Sequence, residues 1–376
     1  MKRILSLLLC SALALTALTG CSSIFDRSYS SVTPHQEQAA SDEDASILRA
    51  ESYTELVSCV QHFVSMGQTS GTVHVYQYSG DIDADLQTAC NEVLNDDPLG
   101  AYALDDISYT CARIVSYYEC AFTFSFRHSL SDISSIKSAY GWGAIRDLMS
   151  ETMSNFDTTL TLRTSSFYAD TTELYSLAQA AYYDTPSAAL GFPSVSITVY
   201  PNSSDSGRYR VVEITFAYSN LKTTLQKRAE SVAARAAQLS GSESAADFTV
   251  ATLLRSRLLD FAQYDENGSS SVYNVLCLGS GNSEGFAMSY VLLCRQSGIT
   301  CQLVQGTLNG VPHDWNIITL NGQSWHTDLT FGDEDGARYT DAEMTAMGYQ
   351  WSQDDYPVCT GYAEGENFSD FSENTP

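Results

Sequence analysis

The chain has 376 residues, with 45 Asp and Glu against 19 Lys and Arg and a formal net charge of −26 at pH 7. This length leaves room for two or three domains of about 150 residues each. So acidic a surface repels phosphate, which argues against nucleic acid and anionic lipid head groups as partners.

Residues 1–20 resemble an export signal. Lys2 and Arg3 precede an apolar run, residues 4–18, which is short for a membrane span and ends in small residues. Cys21 follows directly after Leu-Thr-Gly, an order that resembles the lipobox of bacterial lipoproteins, in which this Cys is lipidated and becomes the first residue. We therefore expect an extracytoplasmic protein that is anchored to the cell membrane through lipidated Cys21.

The chain after Cys21 begins with a linker and continues with two similar segments. Residues 21–50 are rich in Ser, Gln, Asp and Ala without apolar periodicity, which predicts a flexible linker. Internal similarity links residues 73–128 with residues 161–220, since each copy has a helix with an acidic first turn followed by two alternating strands. The sequence therefore predicts two tandem α+β modules, residues 51–152 and 153–242.

Eight cysteines remain once the signal is removed and Cys21 is lipidated. Cys111 and Cys120 are the candidate disulfide if they face each other across a hairpin, and buried free thiols are the alternative. No C-x-x-C pair and no H-E-x-x-H motif supports a zinc site. The acidic run 81–85 resembles a calcium loop, but Leu86 stands where that loop needs Gly, which favours an acidic helix start. We expect neither a metal nor a cofactor.

The sequence predicts a third domain over residues 243–376. The segment before it ends in an amphipathic helix, residues 221–240, and Gly241 closes that helix. The predicted elements within the domain are a Gly-rich break, a helix and two strands, in this order: residues 279–282, 284–296, 300–308 and 315–320. Asn321-Gly322 then predicts a two-residue hairpin turn.

Ser283 stands in the first turn of the predicted helix. Free backbone N–H groups and the positive end of the helix dipole lie at such a position, where they can assist a nucleophile and stabilise an oxyanion. Ser is also a preferred N-cap residue, so a purely structural role for Ser283 is the alternative.

The hairpin brings a histidine and a carboxylate together. Counting outward from the turn places Trp315 opposite Asp328, so His313 is the diagonal neighbour of Asp328 and lies within side-chain reach. Such a pair fixes the imidazole tautomer for acid and base chemistry. His326 lies on the same face without an identifiable partner, which favours a structural role.

Three phrases carry a resemblance to a known family: Glu284-Gly285-Phe286-Ala287, His313-Asp314-Trp315-Asn316 and Trp325-His326-Thr327-Asp328. They resemble the transglutaminase-like superfamily, which is related to the papain-type cysteine proteases, over residues 243–360. The resemblance implies a papain-like α+β domain, with His313 as catalytic base and Asp328 as the residue that orients it. It also implies a substrate cleft at Gly281, Glu284 and Trp315.

Ser283 occupies the position at which that family has its catalytic Cys. A thiol pKa near 8.5 falls to about 3.5–7.5 beside an imidazolium or a helix N-terminus, whereas a helix terminus supplies only about 0.3–1 kcal/mol, too little to ionise a hydroxyl. We therefore expect a catalytically degenerate domain that binds a peptide or protein.

Two alternatives stay open. The domain is an active acyl-transfer or amide-hydrolysing enzyme if Ser283, His313 and Asp328 work as a triad. In the second alternative, the acidic modules carry the main role in surface adhesion, and the last domain is a cap.

Overall fold

The computed structural model describes residues 40–41, 47–202, 209–241, 247–331 and 338–361, which fold into a mixture of helices and sheets. The predicted signal, residues 1–20, and Cys21 lie outside the described residues. Within the described residues, no helix is long and apolar enough to cross a membrane.

The first sheet has five strands. They are β1 (Ala40–Ser41), β2 (Ile47–Ala50), β3 (Ser70–Tyr76), β4 (Leu104–Ile114) and β5 (Tyr117–Phe126). Their order is β1-β2-β3-β5-β4, in which β2 and β3 are parallel and the other pairs are antiparallel. The helices that accompany this sheet are α1 (Tyr53–Ser65), α2 (Ile82–Asn95), α3 (Pro98–Ala103) and α4 (Leu130–Ser134).

The structure of this first part bears on two of the sequence predictions. Asp81 caps α2 by accepting the backbone N–H groups of Asp83 and Ala84, so the acidic run is a helix start. The predicted linker is too long, because β2 lies inside residues 21–50 and pairs with β3. A four-residue strand with only Leu48 and Ala50 buried is too short to show periodicity in the sequence.

The second sheet has four strands: β6 (Lys137–Ser138), β7 (Thr159–Ser165), β8 (Ser194–Tyr200) and β9 (Tyr209–Ala217). Their order is β6-β7-β9-β8, with β6 and β7 parallel. The main helices of this part are α5 (Trp142–Ser154) and α6 (Thr171–Tyr183), with 3-10 turns at Ser166–Tyr168 and Pro186–Ala188. The tandem arrangement stays a prediction, and its boundary between residues 152 and 153 falls inside α5.

The remaining elements form the last part of the described chain. Its helices are α7 (Lys222–Ser240), α8 (Asp247–Phe261), α9 (Ser283–Gln296) and α10 (Asp341–Ala346), with a π-helical turn at Asn274–Leu278 and a 3-10 turn at Gln353–Asp355. Its strands are β10 (Gln263–Tyr264), β11 (Ser280–Gly281), β12 (Thr300–Leu308), β13 (Val311–Leu320), β14 (Gln323–Thr327) and β15 (Tyr349–Trp351). The larger sheet has the order β14-β13-β12-β15, and β10 pairs with β11.

The predicted hairpin turn is confirmed. Asn321 and Gly322 both have positive φ, 51° and 80°, as a type I′ turn requires, and Leu320 pairs with Gln323. The pairing continues to Asn316 opposite Thr327. This register fixes which side chains of β13 and β14 share a face.

Helix α9 is buried on most of its surface, since Ser283 and all residues from 285 to 294 are buried. It packs against β12 and β13 on one side and against α7 and α8 on another. The apolar cluster around it is continuous with the core of the second sheet, since Leu174 and Ile214 belong to the same cluster as Phe286. A helix enclosed in this way positions its N-terminus rigidly.

Candidate active site

Asn282, not Ser283, is the N-cap of α9. Its side-chain Oδ1 accepts the backbone N–H of Gly285 at 3.0 Å, and Ser283 is the first helical residue, with 8 % of its surface exposed. The N-cap interpretation of Ser283 is therefore wrong. The Ser283 hydroxyl does not cap the N-terminus of α9 and makes a different hydrogen bond.

The hydroxyl of Ser283 contacts the neighbouring strand β13. Its Oγ accepts a hydrogen bond from the backbone N–H of Asp314 at 3.3 Å. Among the described residues, no hydrogen bond joins this Oγ to the imidazole of His313. The candidate nucleophile and the candidate base thus lie on adjacent elements, with no hydrogen bond between them in the described residues.

Two backbone donors at the start of α9 are free. Within the described part of the chain, the N–H groups of Ser283 and Glu284 have no hydrogen-bond acceptor. Unsatisfied N–H groups at a helix N-terminus favour negative charge. They could stabilise an oxyanion or bind the carbonyl oxygen of a ligand.

His313 and Asp328 form a buried pair, with the imidazole Nε2 2.6 Å from Asp328 Oδ2. A neutral imidazole that donates from Nε2 carries its lone pair on Nδ1. No described residue hydrogen-bonds Nδ1 of His313. The structure therefore brings together the histidine and the carboxylate that the hairpin register predicted, with Nδ1 as the nitrogen available to act as a base.

Asp328 is held by three further donors. Thr330 donates to Oδ1 from both its backbone N–H and its Oγ1, each at 2.7 Å, and the phenol of Tyr349 donates to Oδ2 at 2.8 Å. Burial raises the pKa of Asp328. The hydrogen bond and charge of His313, together with the Thr330 donors, lower it by more than burial raises it, so the pKa lies below its usual value. Sequence reasoning assigned no role to Thr330 or Tyr349.

Trp315 and His326 lie behind this pair. Trp315, predicted to line the cleft, is 1 % exposed, and the structure places it in the core, where its Nε1 donates to His326 Nδ1 at 2.9 Å. His326 Nε2 lies 2.9 Å from Asp341 Oδ1, so this histidine has two partners that sequence reasoning missed. Burial lowers the pKa of His326, which is consistent with a neutral ring that donates to Asp341.

Cys359 joins His326 and Asp341 in a group of side chains that could hold a metal ion, since one potential ligand atom from each lies within 4.8 Å of the others. Both imidazole nitrogens of His326 already have hydrogen-bond partners, and Asp341 Oδ2 accepts the backbone N–H of Cys359 at 3.1 Å. Because these groups satisfy one another, the geometry supports a hydrogen-bond network without requiring an ion.

Two carboxyl groups, those of Glu284 and Asp314, flank Ser283. Burial and the charge of Asp314 raise the pKa of Glu284 to about 7, while the Tyr183 hydroxyl lowers it. Burial also raises the pKa of Asp314 to about 6, against the effect of His313. Glu284 was predicted at the cleft, but Asp314 was not assigned a role.

Tyr183, from helix α6, reaches this pair of carboxyl groups. Its hydroxyl donates to Glu284 Oε1 at 3.5 Å and accepts from Gln305 Nε2 at 2.9 Å. These contacts join residues 101 and 122 positions apart, so no local sequence signal could have revealed them. The second sheet's helix thus forms part of the site.

Gly281, also predicted at the cleft, is buried in β11 directly before Asn282. Its carbonyl accepts the backbone N–H of Asp265 at 2.9 Å, and a Cβ built on it would lie 2.9 Å from the carbonyl oxygen of Ser269. A side chain at this position would therefore displace the backbone that leads into α9.

Comparisons with known proteins locate the family relationship. The family model described as the transglutaminase-like superfamily matches residues 231–327, which include Ser283 and His313 and end one residue before Asp328. No curated protein matches this chain. The chain therefore carries a transglutaminase-like domain of α+β fold over these residues.

Similar solved structures include a TGase, at 12 % identity and a TM-score of 0.27, covering 55 % of this chain and 61 % of that one. A protein assigned as a cysteine protease from Cytophaga hutchinsonii has 12 % identity and a TM-score of 0.23, covering 37 % and 66 %. A protein assigned as a protease from Parabacteroides distasonis has 10 % identity and a TM-score of 0.22, covering 71 % and 44 %. This chain spans less than two thirds of the length of each.

Proposed function

We propose that the transglutaminase-like domain binds an extended peptide or a Gln-like side chain in its cleft and does not perform acyl transfer. The observation that carries this proposal is the contact of Ser283 Oγ, which accepts from the Asp314 N–H and has no hydrogen bond to His313 in the described residues. A serine nucleophile needs its proton removed during attack, so a base that is not hydrogen-bonded to the hydroxyl is not in position for that step.

The change from Cys to Ser supports the same proposal energetically. The helix N-terminus supplies about 0.3–1 kcal/mol, which helps a thiolate form but cannot ionise a hydroxyl. Removing the nucleophile from an evolved triad costs on the order of a millionfold in kcat. The free N–H groups of Ser283 and Glu284, by contrast, serve a bound carbonyl oxygen whether or not chemistry follows.

The alternative is an active enzyme, which Nδ1 of His313 favours because no described residue hydrogen-bonds it. In that mechanism, Ser283 Oγ attacks an amide carbonyl carbon as its proton passes to His313 Nδ1, and the N–H groups of Ser283 and Glu284 donate hydrogen bonds to the oxyanion. The proton then moves to the leaving amine as the C–N bond breaks. Water or a second amine releases the acyl group from Ser283.

A serine-directed fluorophosphonate probe separates these two functions. We expect no labelling of Ser283 in the parent, as in a Ser283→Ala variant. Labelling that disappears in both Ser283→Ala and His313→Ala would overturn the degenerate assignment and establish the triad.

The binding half of the proposal has its own test. A fluorescein-labelled peptide containing Gln should bind saturably in an anisotropy titration. Ser283→Phe, which fills the cleft at the helix start, should abolish this binding, and Ser280→Phe at a nearby exposed position should not. A lack of binding to the parent would contradict the proposal.

We also propose that lipidated Cys21 anchors the protein to the membrane, with the folded part outside the cytoplasm. The order of charged start, apolar run and Leu-Thr-Gly-Cys supports this proposal. A Cys21→Ser variant should lose incorporation of an alkynyl fatty acid and move from the membrane fraction to the soluble fraction. An unchanged distribution would contradict the anchor.

A further inference from the structure

A cavity of about 250 Å³ lies between the first and second sheets, and none of its lining residues belongs to the candidate active site. Three of its residues, Ser138, Arg163 and Val211, are directly paired across β6, β7 and β9. Paired residues on adjacent strands share a face, so their side chains point to the same side of the sheet. Tyr209, two residues before Val211, shares this face and also lines the cavity.

Arg163 is the single cation among the residues that line this cavity. Its guanidinium carbon lies 4.2 Å from the centroid of the Tyr209 ring, and its Nε atom is buried without a hydrogen-bond partner. Within the described residues, Arg163 has no ion pair. The side chain as a whole is half-buried, and its planar fork of donors matches a carboxylate, so an anion suits it as a partner.

A half-buried carboxyl group, Asp97, lines the same cavity without a direct ion pair to Arg163. Its Oδ2 accepts the backbone N–H of Gly100 at 2.8 Å, and its Oδ1 accepts from Gln61 Nε2 at 3.1 Å and from the Tyr209 hydroxyl at 3.5 Å. Burial raises the pKa of Asp97, although the Gly100 and Tyr209 hydrogen bonds and the charge of Arg163 lower it. The cavity therefore offers a cation and an acceptor that do not neutralise each other by direct contact.

The rest of the lining limits the size and character of an occupant. Leu99, Ile133 and Ile136 give the cavity apolar walls. Its volume is below the roughly 300–1,000 Å³ of pockets for drug-sized ligands, so an occupant has the size of an amino acid. Asp97 and the apolar walls disfavour inorganic phosphate, because a dianion would face a carboxyl group and too few donors.

We propose that this cavity binds an α-amino acid with an apolar side chain, with its carboxylate on Arg163 and its ammonium group near Asp97. The side chain packs against Leu99, Ile133 and Ile136. This site is independent of the proposed function of the transglutaminase-like domain.

Calorimetric titration of the full-length protein with leucine, leucinamide and inorganic phosphate tests the proposal. We expect saturable binding of one leucine per chain, with leucinamide and phosphate at least about tenfold weaker, since only leucine offers the carboxylate fork. Equal binding of leucinamide, or no binding of leucine, would overturn the proposal.

Variants locate the binding. Arg163→Met should weaken leucine binding by about 10- to 100-fold, and Arg163→Lys should weaken it less because the charge remains. Arg113→Met removes the same charge from an exposed arginine that also lies over a tyrosine ring, so it is the matched control and should bind as the parent does.

A second variant locates the ligand if Arg163→Met fails to fold. Ser138→Leu keeps Arg163 and fills part of the cavity from the neighbouring strand, and it should also weaken leucine binding. A variant with an unchanged thermal melt and undiminished leucine binding would place the ligand elsewhere and contradict the assignment.

Discussion

The backbone N–H of Asp314 donates to Ser283 Oγ across 3.3 Å, which ties the first residue of α9 to strand β13. This contact holds the hydroxyl close to a strand that also carries His313, yet it uses the hydroxyl as an acceptor. The site therefore keeps the arrangement of a nucleophile, a base and an orienting carboxylate while the first two are not joined by a hydrogen bond in the described residues.

Replacing Ser283 by Cys should restore a reactive nucleophile. The helix N-terminus and the nearby imidazole of His313 lower a thiol pKa, so Ser283→Cys should react with iodoacetamide at pH 6 about tenfold faster than the exposed control Ser280→Cys. Adding His313→Ala should reduce the difference to what the helix N-terminus alone supplies. Equal rates for the two single variants would show that the site does not activate a thiol.

Gain of amidase or amine-transfer activity in Ser283→Cys, over an inert parent, would show that the cleft is otherwise intact. The measurement is release of ammonia from a Gln-containing peptide, with and without an added primary amine. Activity in the parent of similar size would instead support the serine triad.

Tyr349→Phe should lower the free energy of unfolding by about 1–2 kcal/mol, because it removes one donor from the buried carboxylate of Asp328. Urea unfolding of the purified protein measures this change. Tyr175→Phe is the control, since Tyr175 is exposed on α6. A loss of the same size in both variants would show that the Asp328 contact is not the cause.

Glu284 should make the protein less stable as the pH rises from about 4.5 to about 7. Its pKa in the folded chain is about 7 against an ordinary 4.5, so the folded state binds more protons than the unfolded state in this window, and the free energy of unfolding falls with pH.

Glu284→Gln should therefore raise the free energy of unfolding at pH 8, by up to about 3 kcal/mol, and change it little at pH 5. Asp314, with its own raised pKa, leaves part of the pH dependence in place. Glu266→Gln, at an exposed position, is the control and should show no such difference. An equal effect of Glu284→Gln at both pH values would exclude the titration of Glu284 as the cause.

Cys111 and Cys120 should form a disulfide under oxidising conditions. They are directly paired on β4 and β5, and their sulfur atoms are 2.8 Å apart. Mass spectrometry should detect the loss of two hydrogens, and a thiol assay should detect two fewer thiols. Closing a loop of this length stabilises by about 2–3 kcal/mol, which Cys111→Ser should abolish. Unchanged thiol content after oxidation would contradict this pairing.

Local patterns predicted the parts of the site that depend on near neighbours in the chain. The Asn321-Gly322 turn fixed the register, and the register brought His313 to Asp328. The predicted helix and strands of the last domain agree with α9, β12 and β13 within a few residues, because each has a clear break at its ends.

Contacts between distant segments could not be predicted in this way. Tyr183 reaches Glu284 and Gln305 from another sheet's helix, and a single sequence contains no periodicity that reports such a contact. The burial of Trp315 was missed for a different reason. An aromatic residue beside a catalytic motif is equally compatible with a cleft surface and with a core.

The continuous core beneath α9 has a consequence for how this protein can be divided. Residues of the second sheet and residues of the transglutaminase-like domain bury the same apolar surface, so cutting the chain at residue 231, where the family match begins, would expose that surface to water. The second sheet and its helices therefore support the site structurally, and a shortened protein that kept every site residue of the domain would lack Tyr183 and the apolar surface that covers this core.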